Sequence, residues 1–136
     1  MDDELLDDQM LAKEPDVAAV VITKDRAEFP FPTMGKEDLA GKIQNYLLKD
    51  GYKLESGAPT SGVYGKGSKT MRILFGAFVK RFTWSLSISG DEKSSKLVFK
   101  KDEKGYWGGA IGVAQVKTEW TRITNALKAY HDKHNS

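Results

Sequence analysis

The sequence predicts an α+β fold: one antiparallel sheet of about four to five strands, with an N-terminal helix and a long C-terminal helix packed on one face, in the order β-α-β(3–4)-α. Three observations predict it. Phe82, Trp84, Leu86 and Ile88 alternate with Thr83, Ser85, Ser87 and Ser89, the period of a half-buried strand. Leu39, Ile43, Tyr46 and Leu47 fall on one side of a helix between Lys36 and Lys49. Val113, Val116, Trp120, Ile123, Leu127 and Tyr130 step by threes and fours towards His131, a second and longer helical stripe.

The remaining elements follow from local signals. Leu5, Leu6, Met10 and Leu11 form one side of a short segment ending before Pro15, too short to be a stable helix alone. Val17 to Ile22 is a compact apolar run suited to a strand, and Lys24-Asp25-Arg26 a turn. Glu28-Phe29-Pro30-Phe31-Pro32 must be extended, because a proline steers its predecessor away from helix. Two prolines also suit an edge strand, since neither donates to a ladder. Gly35 serves as N-cap of the first helix, with Glu37 and Asp38 in the first turn, where the dipole favours acids. Gly51 ends it in the left-handed conformation. Tyr52 to Ser56 and Gly62 to Lys66 read as strands around a turn at Gly57-Ala58-Pro59-Thr60. Gly90 to Ser95 turns the chain and Lys96 to Lys100 returns it, with Leu97 and Phe99 facing inward. Lys101 to Gly112 is a glycine-rich loop before the helix from Val113.

The chain of 136 residues, 40% hydrophobic and 29% charged, suits a single globular domain. Its formal charge of +2 averages two unlike parts. Residues 1–16 hold seven acids and one base, a net −6, and the remaining 20 bases and 12 acids give +8. Residues 1–16 are therefore an acidic arm, expected to be disordered, and residues 17–136 the folded domain. The arm is either solvated or folds over the basic surface in competition with an acidic ligand. The opening Met1-Asp2-Asp3-Glu4 has neither the basic nor the apolar region of a signal peptide. The expected compartment is the cytoplasm, a periplasmic one requiring a removed signal peptide. No stretch approaches the roughly 18 apolar residues of a membrane span.

No catalytic constellation is visible. The chain has no Cys, which removes thiolate nucleophiles and thiolate metal sites. His131 and His134 lie together near the C-terminus, where solvated helix-end histidines are the simpler reading than two ligands of a metal. The carboxylate pairs Glu37-Asp38, Asp91-Glu92 and Asp102-Glu103 fall in turns or helix starts. Glu119 is the one acid in the body of the last helix and can pair with Arg122, and acid–base chemistry there would require it to be buried with a shifted pKa. No cofactor is expected.

Two regions are candidate binding sites. Gly105-Tyr106-Trp107-Gly108-Gly109-Ala110-Ile111-Gly112 runs into the last helix, and either permits close packing or offers backbone N–H groups to a ligand. With Trp120 it places aromatics and glycines where sheet and helix meet, so Trp107, Gly108, Gly109 and Trp120 are the candidate ligand-binding residues. Met71 to Val79 is the most apolar window, helix or strand, flanked by Lys69, Arg72, Lys80 and Arg81. It is core, a segment that meets an anionic surface, or a partner-binding patch. Nucleic acid is disfavoured, because the Ser/Thr side of the alternating strand has no aromatic residues to stack bases.

Tyr64-Gly65-Lys66-Gly67-Ser68, Gly76-Ala77-Phe78-Val79-Lys80-Arg81, Gly108-Gly109-Ala110-Ile111-Gly112 and Glu119-Trp120-Thr121-Arg122-Ile123 resemble a group of small uncharacterised bacterial domains of Bacteroidetes type, over about residues 27–130. That group has no assigned activity, so the resemblance carries over no functional residue. The element order is also similar to the TATA-binding-protein-like and helix-grip folds, in which a long C-terminal helix packs on an antiparallel sheet, a likeness of topology alone. The expected function is a non-enzymatic binding module, with a small ligand or peptide between sheet and C-terminal helix. The alternative is an adaptor for anionic membranes or nucleic acid.

Overall fold

The computed structural model describes residues 19–67, 82–101 and 109–135. The acidic arm, the apolar window 71–79, Asp102-Glu103 and the tryptophan of the glycine-rich run lie outside them. The chain forms β1 (Val21–Ile22), β2 (Arg26–Phe31), α1 (Lys36–Lys49), β3 (Lys53–Ala58), β4 (Ser61–Lys66), β5 (Phe82–Gly90), β6 (Ser95–Lys101) and α2 (Gly109–His134).

The six strands make one antiparallel sheet in the order β1-β2-β6-β5-β4-β3. After β2, α1 carries the chain across the sheet to its far side. Strands β3 to β6 then return as consecutive neighbours, and β6 closes against β2, pairing Arg26 with Lys100 through Phe31 with Ser95. The fold is α+β as expected, with six strands where about four to five were expected. Strand β1 falls within the expected run Val17 to Ile22, and its two residues pair only with Ala27 and Glu28. Beyond Glu28, β2 has no strand on that flank among the described residues. Pro30 therefore sits where a missing N–H costs no ladder bond on that side.

α1 spans the expected residues. Gly35 caps it with extended backbone and no side-chain bond, and Leu39, Ala40, Ile43 and Leu47 are buried. Gly51 follows with φ 101°, which a glycine adopts without steric penalty. The β5–β6 turn is held by Asp91, whose Oδ1 accepts from the backbone of Lys93 (2.8 Å) and Ser94 (2.9 Å). The Asp91 carbonyl accepts from Lys36 N at 2.8 Å, joining this turn to the first turn of α1.

The period-2 pattern sorts the sheet into two faces. Phe82, Trp84, Leu86 and Ile88 of β5 are buried with Leu97 and Phe99 of β6, Phe29 and Phe31 of β2, and the apolar stripes of both helices, in one core. The outer face carries exposed Ser87, Ser89, Lys96, Lys100 and Arg26. There Glu28 accepts from Arg26 (2.7 Å) and lies 2.6 Å from Lys96, and those two partners hold its carboxyl below the usual range. The hydroxyl side of β5 is not uniformly solvated: Thr83 is buried, and its Oγ1 has no hydrogen-bond partner among the described residues.

Strand β3 departs from regular pairing between Leu54 and Ser56. Leu54 faces Tyr64 and Ser56 faces Val63, so Glu55 is an extra residue, a β-bulge. Its carboxylate lies over Gly65, in the space a Cβ would occupy.

α2 corrects three expectations. It begins at Gly109, so the last part of the glycine-rich run is helical rather than loop, and it extends to His134. Its described buried face is Val116, Trp120, Ile123, Thr124, Leu127 and His131, with Tyr130 only partly buried. A strict three-four stepping has a period of 3.5 and drifts about 20° per heptad from a straight helix of 3.6 residues per turn. By the last turn the drift moves the core position from Tyr130 to His131. His131 is accordingly not solvated: it is 8% exposed and packs edge-on against Phe31 at 5.2 Å. His134 stacks on Tyr130 instead, at 4.1 Å, so the two rings serve different neighbours.

Candidate functional site

Antiparallel register brings Leu54, Tyr64, Trp84 and Lys101 into one row across β3, β4, β5 and β6. The row lies near the end of the sheet where β4 finishes, β5 begins and β6 leaves for α2. Phe82, one position further out on the inner face, stacks on Trp84 with centroids 6.2 Å apart and planes 7° off parallel. α2 covers the row with Trp120, 5.4 Å from Trp84 and stacked on Phe99 at 5.8 Å. The Trp120 indole N–H donates to the Thr23 carbonyl at 2.9 Å, which fixes the β1–β2 turn against the helix.

A polar network closes one flank. The Trp84 indole N–H donates to the Tyr52 hydroxyl at 2.7 Å, and that hydroxyl donates to Glu119 Oε2 at 2.6 Å. Arg122 donates through Nε to Glu119 Oε1 (2.9 Å) and through a terminal nitrogen to Oε2 (2.7 Å). The same guanidinium reaches both oxygens of Asp50, at 3.2 and 2.6 Å, just past the end of α1. Lys66 Nζ lies 3.6 Å from Asp50 and 3.9 Å from Glu119. It also sits 5.3 Å above the Tyr52 ring. The network thus ties α1, β3, β4, β5 and α2 together.

The charges can be assigned. Burial pushes the Glu119 carboxyl up, but hydrogen bonds from Arg122 and Tyr52 and the charges of Arg122 and Lys66 outweigh it, leaving the pKa below the usual value. Burial, then the bond to Glu119, holds the Tyr52 phenol neutral far beyond its ordinary range. Glu119 is therefore partly buried, with a side chain 11% exposed, yet ionised. Three hydrogen bonds reach its oxygens and link α2 to Tyr52 and Arg122.

Two groups in the row are not satisfied in this way. Tyr64 is 1% exposed, and its hydroxyl has no hydrogen-bond partner among the described residues. Burial raises its pKa, so it keeps its proton. Lys101 extends over Trp120, its Nζ 5.6 Å from the ring centroid. Among the described residues no carboxylate lies within ion-pairing distance of it. Burial lowers its pKa, Asp25 acts in the opposite sense, and Lys117 and Lys24 add to the lowering.

The expected site residues are distributed as follows. Trp120 is 3% exposed and belongs to the core, so it forms the back wall of this end rather than an open surface. Gly109 is the first residue of α2. Trp107 and Gly108 lie outside the described residues, as do Lys69, Arg72, Lys80 and Arg81. Tyr52, Tyr64, Lys66 and Lys101 were not among the candidates. Strand register brings Tyr64 and Lys101 to Trp84 and Lys66 to Phe82, Tyr52 reaches Trp84 from just before β3, and these pairings join distant segments. Among the described residues no cluster of His, Asp and Glu could hold a metal ion, and no helix is long and apolar enough to cross a membrane. No family model matches the chain, and no curated protein or solved structure is significantly similar to it.

Proposed function

We propose that the chain is a non-enzymatic binding module that takes a small ligand or peptide end between the sheet and α2, against Tyr64, Phe82 and Trp84. The observation that carries the reading is the Tyr64 hydroxyl, a buried donor without a partner among the described residues, beside Phe82 and Trp84. Buried hydroxyls almost always find a partner, and leaving one unmade costs about 1–3 kcal/mol. A ligand acceptor would supply it. Apolar and aromatic walls with few convergent polar groups are the usual composition of a ligand site.

The test is a fragment screen followed through the indole N–H signals of the three tryptophans in a ¹H–¹⁵N spectrum. Bound fragments are expected to move the Trp84 signal. Tyr64→Phe loses no protein hydrogen bond, so its stability should stay within about 1 kcal/mol of the parent while hydrogen-bonding fragments bind several-fold more weakly. Hits that leave Trp84 unmoved, or equal affinity in Tyr64→Phe, overturn the reading.

A further inference from the structure

We infer that the outer face of the sheet is a docking surface for an acidic segment, and that its occupant is residues 1–16 of the same chain. This face lies on the other side of the sheet from Tyr64 and Trp84, so the inference is independent of the ligand site above. On β2, β6 and β5 it presents Arg26, Lys96, Lys100, Ser87 and Ser89, all exposed. Register sets them in lanes across the strands. Arg26 and Ser85 both lie opposite Lys100, and Pro30 and Ser89 both lie opposite Lys96. Glu28 sits between the lanes and pairs with Arg26 and Lys96. Three bases and one acid leave this patch at 3 − 1 = +2.

The chain joins the sheet at this face. A cavity of about 470 Å³ at its β5–β6 end is lined by Ala19, Pro30, Ser89 and Lys96, with the turn residues Gly90 and Ser94. Val21 lies opposite Glu28, so the same register two steps earlier puts Ala19 beside Pro30. Pro30 has no N–H to continue the ladder there. The chain before Ala19 therefore leaves β2 at the wall of the cavity that carries Lys96. Asp16 is three residues away, within about 10 Å at about 3.3–3.6 Å per extended residue. Residues 1–16 hold seven acids and one base, a net −6 to set against the +2 patch. Five strand spacings of about 4.8 Å make the face about 24 Å wide, which sixteen extended residues cover. Carboxylates accept from ammonium, guanidinium and serine hydroxyl groups alike. Single exposed pairs are weak, so the docking depends on several at once and on the tether, which keeps the segment at about millimolar local concentration.

The chain has no Cys, so Gln9→Cys gives a single site for a nitroxide spin label in the full chain. At low salt the label is expected to broaden the amide signals of Ser87, Ser89, Lys96 and Lys100 several-fold more than those of Asn45 and Asn125, which are exposed on the two helices. At about 1 M salt, where charges are screened beyond about 3 Å, the excess should vanish. Replacing the seven acids by Asn or Gln should abolish it, and Lys96→Gln with Lys100→Gln should cut it several-fold. Equal broadening of the two sets of signals at low salt overturns the docking surface. An undiminished excess in either set of variants overturns the pairing of charges on which the inference stands. Broadening passed at full strength from a labelled chain to an unlabelled, ¹⁵N-enriched one assigns the face to a second copy and overturns the assignment to the same chain.

Discussion

At the end of the sheet where β5 turns into β6, the inner face is closed by Phe29, Phe31, Ile88 and Leu97 under His131, and the turn is held by its own backbone and Asp91. At the opposite end the same two layers meet through Tyr52, Tyr64, Trp84 and Trp120, with Glu119, Arg122, Asp50 and Lys66 linked by hydrogen bonds and ion pairs. The first end is mainly apolar and locally satisfied. The second holds the Tyr52 hydroxyl, the Trp84 indole N–H and, among the described residues, a buried phenol without a partner, Tyr64. Apolar closure contributes stability in proportion to the area removed from water, whereas a polar closure contributes only while every member keeps its partner. One end suits holding the fold together; the other suits a site.

The largest expected effect is at the apolar end. Phe29→Ala should cost about 3–5 kcal/mol in chemical denaturation, through lost burial and the cavity left beside His131 and Phe31. A loss below about 1 kcal/mol would break the comparison.

Next comes the polar end. Glu119→Gln leaves Arg122 and Tyr52 with a weaker acceptor, and should cost about 2–3 kcal/mol at neutral pH, less than a fully buried pair because Arg122 is partly exposed. The pH dependence has a definite sign. The folded carboxyl has a depressed pKa, so its contribution is present above the ordinary value of 4.5 and is lost as the pH falls below it. Tyr52 works in reverse: its raised pKa makes its contribution present below pH 10 and lost above. The stability difference between parent and Glu119→Gln should therefore shrink in acid. A difference constant from pH 7 to pH 3 would show that the network does not depend on Glu119 ionisation.

The smallest effect sharpens the contrast at the turn. Asp91→Ala removes one carboxylate oxygen that accepts two backbone N–H groups in an exposed turn, and should lower stability least of the three. Hydrogen exchange at Lys93 and Ser94 should rise, with no change at Tyr52 or Trp84. Faster exchange at both ends would mean that the ends are not independent.

α1 was legible to the residue, because its spacing, its acidic first turn and its flanking glycines are all local signals. Strand β5 was legible from alternation over eight residues. β1 was legible as part of the apolar run Val17 to Ile22, of which Val21–Ile22 form the strand. The far end of α2 was misread by a stripe of the wrong period, which exposed His131 in expectation and buried Tyr130. The candidate site was legible in part. Trp120 and the meeting of sheet and C-terminal helix could be placed, and the Glu119–Arg122 pair follows from helical spacing. Tyr52 and Glu119 are 67 residues apart, and nothing local joins them. Tyr64 and Lys101 gain meaning only once both are paired through β5, because a one-residue slip would turn both to the other face.

The bulge at Glu55 matters to molecules that are neighbours rather than ligands. β3 is the outermost strand on its side, and an unbroken outer strand is a template on which another chain can add a strand. An extra residue in the middle of six puts the free N–H and C=O groups out of step, so no incoming strand finds more than a few consecutive partners. On the other side, β1 offers only two residues. Both flanks of the sheet are thereby poor seeds for fibrils and open-ended stacking. Deleting Glu55 would straighten β3 into a continuous template and make self-association the first visible fault, ahead of any loss of folding.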